Sequence, residues 1–292
     1  MNIEQIKKKQ HNANNVQEFI GCFRDFKNIG ETGFAINSLI KIEEVLDKDE
    51  EAGYYCHVAA RELSKLGEHN IALKYVKLHE SYEVDRMKED QAAAWALAGF
   101  EWYEYGQFDE FHRCIVNGIN ELKRKEDEVK QPYDWAYAAR AWDNYLALDA
   151  LRPLIDSESD LIAQIKESIA RCINNARSSA MDMAASKKGN AIMELVSCAK
   201  ICQGRLGDLK DTNKLMDEAV NLAVNVRDFC EIAETWKCIG SEKAAIEAMD
   251  SAQKLANEDP SLLCVCALTW DKLGRQENAK KCVCLASSSS FA

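Results

Sequence analysis

Proline is nearly missing from this 292-residue chain, with only Pro132, Pro153 and Pro260 present. So few interruptions leave room for long helices. Alternating runs of Val, Ile, Thr and aromatic residues, the mark of strands, are missing as well. Together these absences predict an all-α protein. No window approaches the roughly 18 apolar residues of a membrane span. The opening stretch, MNIEQIKKKQHNANN, has no apolar segment of the kind a secretory signal needs. A cytoplasmic location is therefore expected, with the twelve cysteines reduced there. Basic residues are outnumbered, and a net charge of −11 argues against non-specific binding of nucleic acid or anionic membrane over most of the surface.

Constellations for chemistry are equally scarce. The thirteen glycines are scattered singly, so no phosphate-cradling loop is present. His11, His57, His69, His79 and His112 form no H-E-x-x-H motif. Cys56 and His57 are adjacent on a helix, so their side chains diverge and make a poor nucleophile–base pair. Cys264 and Cys266, like Cys282 and Cys284, are two residues apart, which on a helix points them about 200° from each other. Cys198 and Cys202 share a face, but C-x2-C spacing in a turn is absent. The expectation is no enzyme activity, no cofactor and no metal, with the cysteines acting as small apolar residues.

What the sequence does contain is a recurring spacing. It is clearest in WALAGFEWYEYGQFDEF, Trp95 to Phe111. Gly106 there has Trp102 four residues before it, Gly99 seven before, Trp95 eleven before, and Phe111 five after. Gly67 has Leu63, Ala60, Cys56 and Ala72 at those offsets; Gly240 has Trp236, Ala233, Phe229 and Ala245. Gly274 has Trp270, Ala267, Leu263 and Ala279, and Gly30 has Phe26, Phe23, Phe19 and Ala35. A copy around Leu146 lacks the glycine but keeps Trp142, Ala139, Trp135 and Leu151. A seventh, with Ala199, Cys202 and Gly207, needs one extra residue.

These offsets put large, small and large side chains on one stripe of a helix. The small residue admits a second helix closely, and glycine ends the first helix by reaching the left-handed conformation. Each unit then reads as a helical hairpin that buries its apolar side by stacking on a neighbour. The spacing resembles the tetratricopeptide repeat (TPR), whose period is about 34 residues. Trp236 to Trp270 spans that interval, whereas Gly30, Gly67, Gly106 and Leu146 are 37, 39 and 40 residues apart. Phe111 replaces the family's usual alanine, and the proline that closes each unit is mostly absent, with Pro132 and Pro260 as partial substitutes.

The resemblance implies an α-solenoid of stacked antiparallel helical hairpins. We divide the chain into a polar segment at 1–15, an N-terminal array at 16–150, and an irregular joint with a long helix at 151–188. A C-terminal array at 189–286 and a flexible tail at 287–292 follow. The acidic run 43–51 reads as a solvated helix end.

In such arrays the first helices line the concave side, and the stripe thirteen, ten, six and three residues before each turn faces the groove. That stripe nominates Arg24, Lys27, Tyr54, His57, Arg61, Phe100, Tyr103, Tyr133 and Arg140, with Lys65 adjoining it. Arg and Tyr are common interface anchors, and Arg can grip a carboxylate with two hydrogen bonds. The same arginines would equally serve as ion-pair partners for Asp and Glu on adjacent helices. Of the aromatic residues, Trp95, Trp102, Phe108, Phe111, Trp135 and Trp142 fit core positions, leaving Phe100, Tyr103 and Tyr133 for the surface. Ile20 and His57 stand where the carboxylate-clamp subclass of TPR keeps its first lysine, so that subclass's ligand is not expected. The function expected is a protein-interaction adaptor or regulatory subunit, binding an acidic peptide or helical segment of another protein in the groove, without nucleic acid or membrane. The alternatives are a regulator that docks on an enzyme through its edges or convex face, and an all-helical enzyme or small-ligand sensor.

Overall fold

The computed structural model describes residues 1–46, 51–129, 134–157, 159–186, 190–257 and 259–289. Those residues are mostly helical and include no strand. Contacts divide the chain into two units, Met1–Glu121 with Leu148–Pro153, and Leu122–Ala147 with Leu154–Ala292.

The first unit holds α1 (Ile3–Asn12), α2 (Val16–Asn28), α3 (Thr32–Ile40), α4 (Ala52–Lys65), α5 (His69–Arg86), α6 (Gln91–Glu104) and most of α7 (Phe108–Asp127). Helices α2 and α3, and α4 and α5, are tightly packed neighbours, and α5 carries the stack on to α6. The first fifteen residues are more than a polar segment. Asn2 and Gln5 form a reciprocal capping box that starts α1. Ile6 is wholly buried, and the Gln10 amide donates to Ser38 Oγ at 2.7 Å, so α1 covers the first hairpin. Of the acidic run 43–51, residues 47–50 lie outside the described set.

All six glycines of the repeat pattern adopt left-handed backbone, with φ between 65° at Gly207 and 87° at Gly240. At five of these turns the glycine N–H reaches the carbonyl three residues back. The next N–H reaches the carbonyl of the large residue four before the glycine, as in Gln107 N to Trp102 O at 3.0 Å and Ser241 N to Trp236 O at 2.8 Å. That pair of bonds closes a helix in the Schellman manner. The four-before side chains Phe26, Leu63, Trp102, Trp142, Trp236 and Trp270 are all buried. The eleven-before position is less uniform: Phe19, Cys56 and Leu263 are buried, but Trp95, Trp135 and Phe229 only half so.

Gly99 shows what the small residue at seven before the turn is for. A Cβ added there would lie 3.0 Å from Cys114 Cβ, 3.3 Å from the Phe111 carbonyl and 3.4 Å from Ile115 Cδ1, all on α7. Gly99→Leu is therefore expected to destabilise the first unit by about 1–3 kcal/mol, because overpacking outweighs the better helix propensity. Gly21→Ala in α2 meets only the movable Lys9 ammonium at 3.4 Å. It should stabilise by about 0.5–1 kcal/mol. Urea titrations of the two variants check the opposite signs.

The second unit holds α8 (Asp134–Leu146), α10 (Asp160–Ser186), α11 (Ala191–Ile201), α12 (Leu209–Leu222), α13 (Val226–Cys238), α14 (Glu242–Ala256), α15 (Pro260–Lys272) and α16 (Gln276–Ser289). The short α9 (Arg152–Asp156) precedes α10. The pairs α11–α12, α13–α14 and α15–α16 are hairpins, and α15 packs on both α13 and α14. The long helix expected as part of a joint is present, but it packs along α8 as the return helix of the fourth hairpin and also touches α11. Its apolar face, Ile165, Ile169, Cys172, Ile173 and Ala176, is buried there. The extra residue of the Gly207 copy is absorbed by a π-helical turn at Cys202–Leu206, which widens one turn of the helix without losing the stripe. Helix α16 runs to Ser289, past the expected start of a tail at 287, and 290–292 lie outside the described residues.

Candidate partner-binding surface

The stripe ten, six and three residues before each turn is largely a seam between consecutive first helices. Lys27 of α2 donates to Glu62 of α4 at 2.9 Å, and His57 Nδ1 of α4 lies 2.9 Å from Glu101 Oε1 of α6. In the second unit Arg140 of α8 donates to Ser197 Oγ of α11, and Asp143 accepts from Arg205. Helix geometry explains this. The stripe adjoins the packing stripe, so it faces the next helix before it faces open solvent. Three nominated residues are thereby engaged within the fold: Lys27, His57 and Arg140. Tyr133 lies outside the described residues.

In the first unit the acceptors of this seam recur at one position outside that stripe, five residues before the turn. Asp25, Glu62 and Glu101 all sit there, and each takes a base from an earlier helix: Lys27 of α2 at Glu62, His57 of α4 at Glu101, and Lys9 of α1 at Asp25, the last at 2.7 Å. Glu101 is the most enclosed, 3% exposed, and is held between His57 and His79 Nδ1. Burial pushes its carboxyl up, yet the hydrogen bonds from the two imidazoles overcome this and hold it below the ordinary value of 4.5. His57 is raised above 6.5 chiefly by its bond to Glu101, against partial desolvation. Glu83, also buried, lies 3.9 Å from His79 Nε2 and accepts from Arg86 at 2.6 Å.

Around Glu62 the pairing is uneven. Lys65 lies 2.7 Å away and Arg61 3.8 Å away, in addition to Lys27, so one carboxylate serves three cations. Burial raises the Glu62 carboxyl, while hydrogen bonds from Lys65 and Lys27 prevail and hold it below its ordinary range. Arg24, on α2 and exposed, has no carboxylate within 4 Å among the described residues. The ends of α2 and α4 thus carry four cations against two acids, and one of these, Asp25, is already held by Lys9 of α1, an excess that leaves guanidinium donors open. Glu104 on α6 adds a weaker negative charge near His57, after Glu101.

Beside this basic patch α6 and α7 present aromatic rings. Phe100 and Tyr103 stack with centroids 6.3 Å apart and planes 16° from parallel, and Tyr103 meets Phe108 and Phe111 edge-on at 5.6 and 5.3 Å. Phe111 is buried, Phe100 half-buried and Tyr103 37% exposed. Phe108, placed in the core by its spacing, is 62% exposed. As the first residue of α7 it hangs beyond the end of α6, against Tyr103. Tyr54 is 60% exposed but belongs elsewhere, in a cleft it shares with Glu51, Glu83 and Arg86, where acids outnumber the base.

Among the described residues no group of three or more His, Cys, Asp or Glu could hold a metal ion, and no helix is long and apolar enough to cross a membrane. Cys264 and Cys284 are exposed while Cys266 and Cys282 are buried, so each C-x-C pair does diverge. No family profile and no curated protein sequence matches this chain. Among solved structures it is similar to a protein described as a "circular tandem repeat protein with novel repeat topology and enhanced subunit contact surfaces". That match is 11% identical, covers 94% of this chain and 63% of the other, and has a TM-score of 0.27. A TM-score that low informs neither fold detail nor function.

Proposed function

We propose that this chain is a TPR-like, cytoplasmic protein-interaction module, an adaptor or regulatory subunit without catalytic activity of its own. It binds an acidic peptide or helical segment of a partner protein on the α2–α4–α6 face of the first unit. One observation carries the reading: Lys27, Arg61 and Lys65 share the carboxylate of Glu62, and the exposed Arg24 has none within 4 Å among the described residues, beside the exposed rings of Tyr103 and Phe108. In a chain of net charge −11 such a local excess of cations is where an acidic segment would gain both attraction and bidentate hydrogen bonds. The aromatic rings supply the buried anchors that such interfaces need.

Affinity capture from the native cell tests it, using wild type, Arg24→Glu with Arg61→Glu, and the control Lys243→Glu on α14, whose side chain is 91% exposed. The charge reversal should reduce the captured partner by about tenfold or more. The control should retain it. Equal capture by all three, with helicity intact by circular dichroism, would move the interface to another face.

A further inference from the structure

In the second unit each first helix is covered by its successor along the same stripe. Arg140 and Asp143 of α8 hold Ser197 and Arg205. Lys200 of α11 lies 3.6 Å from Glu231 of α13. Cys230, Glu234 and Lys237 of α13 reach Cys266, Lys272 and the Lys272 carbonyl, the last two at 2.7 and 2.8 Å. Helix α15 has the equivalent stripe in Cys264, Leu268 and Asp271, and all three are exposed, Leu268 at 67%. The neighbouring face of α16 repeats the contrast. Val283 is 51% exposed, whereas Met249, 34 residues earlier on α14, is wholly buried. Between the two helices runs a cleft of about 590 Å³, and nothing among the described residues fills it.

The composition of this face differs from that of a solvated end. Where α13 has the ion-pairing Glu234, α15 has leucine, although a repeat whose outer face stays in water is expected to be polar. Only two charges line the cleft, Asp271 on α15 and Lys280 on α16. They are opposite in sign and on different helices, so the face is complementary to itself. A two-fold axis along the helices sets α15 of one copy beside α16 of the other with both Gly274 turns at the same end. Asp271, three residues before that turn, and Lys280, six after it, then differ in height by about 4.5 Å, within reach of a lysine side chain. Cys264 and Cys284, ten residues before and ten after, come level. For a chain of net charge −11, a patch with balanced charge is also where two copies meet without mutual repulsion.

The geometry points to a homodimer in which the α15–α16 face of one copy packs on that of a second copy, with two Asp271–Lys280 pairs flanking Leu268 and Val283. The face, about 20 Å long for the 13-residue α15 and two helices wide, is at the small end of specific interfaces, so the dimer is a weak one of micromolar affinity.

Sedimentation equilibrium of the full chain across the micromolar range tests this. The expected mass rises with concentration from 32.9 kDa toward twice that value. Leu268→Glu with Val283→Glu should hold the mass at 32.9 kDa with helicity unchanged. Asp271→Lys or Lys280→Asp alone should each weaken association about tenfold by opposing like charges, and the double exchange should restore it. A bismaleimide reagent should join a Cys264→Ala chain to a Cys284→Ala chain, both carrying Cys238→Ser. A wild type that stays at 32.9 kDa throughout overturns the proposal. So does a dimer indifferent to these substitutions, a double exchange that fails to rescue, or a monomer that uses this face for a different protein.

Discussion

Trp142→Ala is expected to lower the stability of the second unit by about 3–5 kcal/mol. The indole is 1% exposed, and its N–H donates to Glu126 at 3.2 Å. Arg171 grips the same carboxylate with two bonds, at 2.8 and 3.0 Å. Glu126 therefore keeps a partner when the tryptophan is removed, and the loss comes from the cavity, not from an orphaned charge. Trp135, seven residues earlier and at the eleven-before position of the same copy, is only half-buried. Trp135→Ala should cost clearly less. Guanidinium titrations followed by circular dichroism, with hydrogen exchange to assign the transition to a unit, check the order. Equal losses would mean that the four-before position is not the centre of the packing stripe.

Glu101→Ala should cost the first unit about 3 kcal/mol, the low end of what breaking a buried pair takes, because His57 is partly solvated. The clamp also fixes a pH dependence. The His57 pKa is raised above 6.5, so its contribution is complete below that pH and is lost as pH rises through the raised value. The Glu101 pKa is lowered below 4.5, so its contribution is present above that pH and is lost as pH falls through the lowered value. The clamp is strongest between the two ordinary values, and the first unit should be more stable at mildly acidic pH than at mildly alkaline pH. Glu101→Gln should flatten that difference. Denaturation midpoints on either side of neutrality, for wild type and variant, read it out. An unchanged pH profile in the variant would place the dependence elsewhere.

The hairpins were legible because their determinants are local. A glycine in the left-handed region and a large residue four before it mark five of the seven turns, and both are properties of short sequence windows. The fourth copy lacks the glycine, and with it the signal that α8 is closed by a return helix. The connection through α9 and the 27-residue α10 therefore read as a joint. The candidate site was harder to read. Helical spacing places Lys27, His57 and Arg140 on the correct stripe, but spacing along one helix does not say how closely the next helix approaches. That approach turned much of the stripe into a seam. The signal that identifies the seam was present, since acids recur five residues before the turn at Asp25, Glu62 and Glu101. Phe108 misled for a related reason: its offset is that of a packing residue, but the first residue of a helix projects past the neighbour it would pack against.

The central claim is that the exposed rings and cations of α2, α4 and α6 receive the partner. Hydroxyl-radical footprinting of the protein, free and with its captured partner, tests it most directly. Tyr103 and Phe108, 37% and 62% exposed in the free chain, should lose most of their labelling on binding. Tyr137, 74% exposed, should be labelled as before. Tyr103 and Phe108 labelled at the free rate, with protection appearing at Tyr137 or elsewhere in the second unit, would contradict the claim.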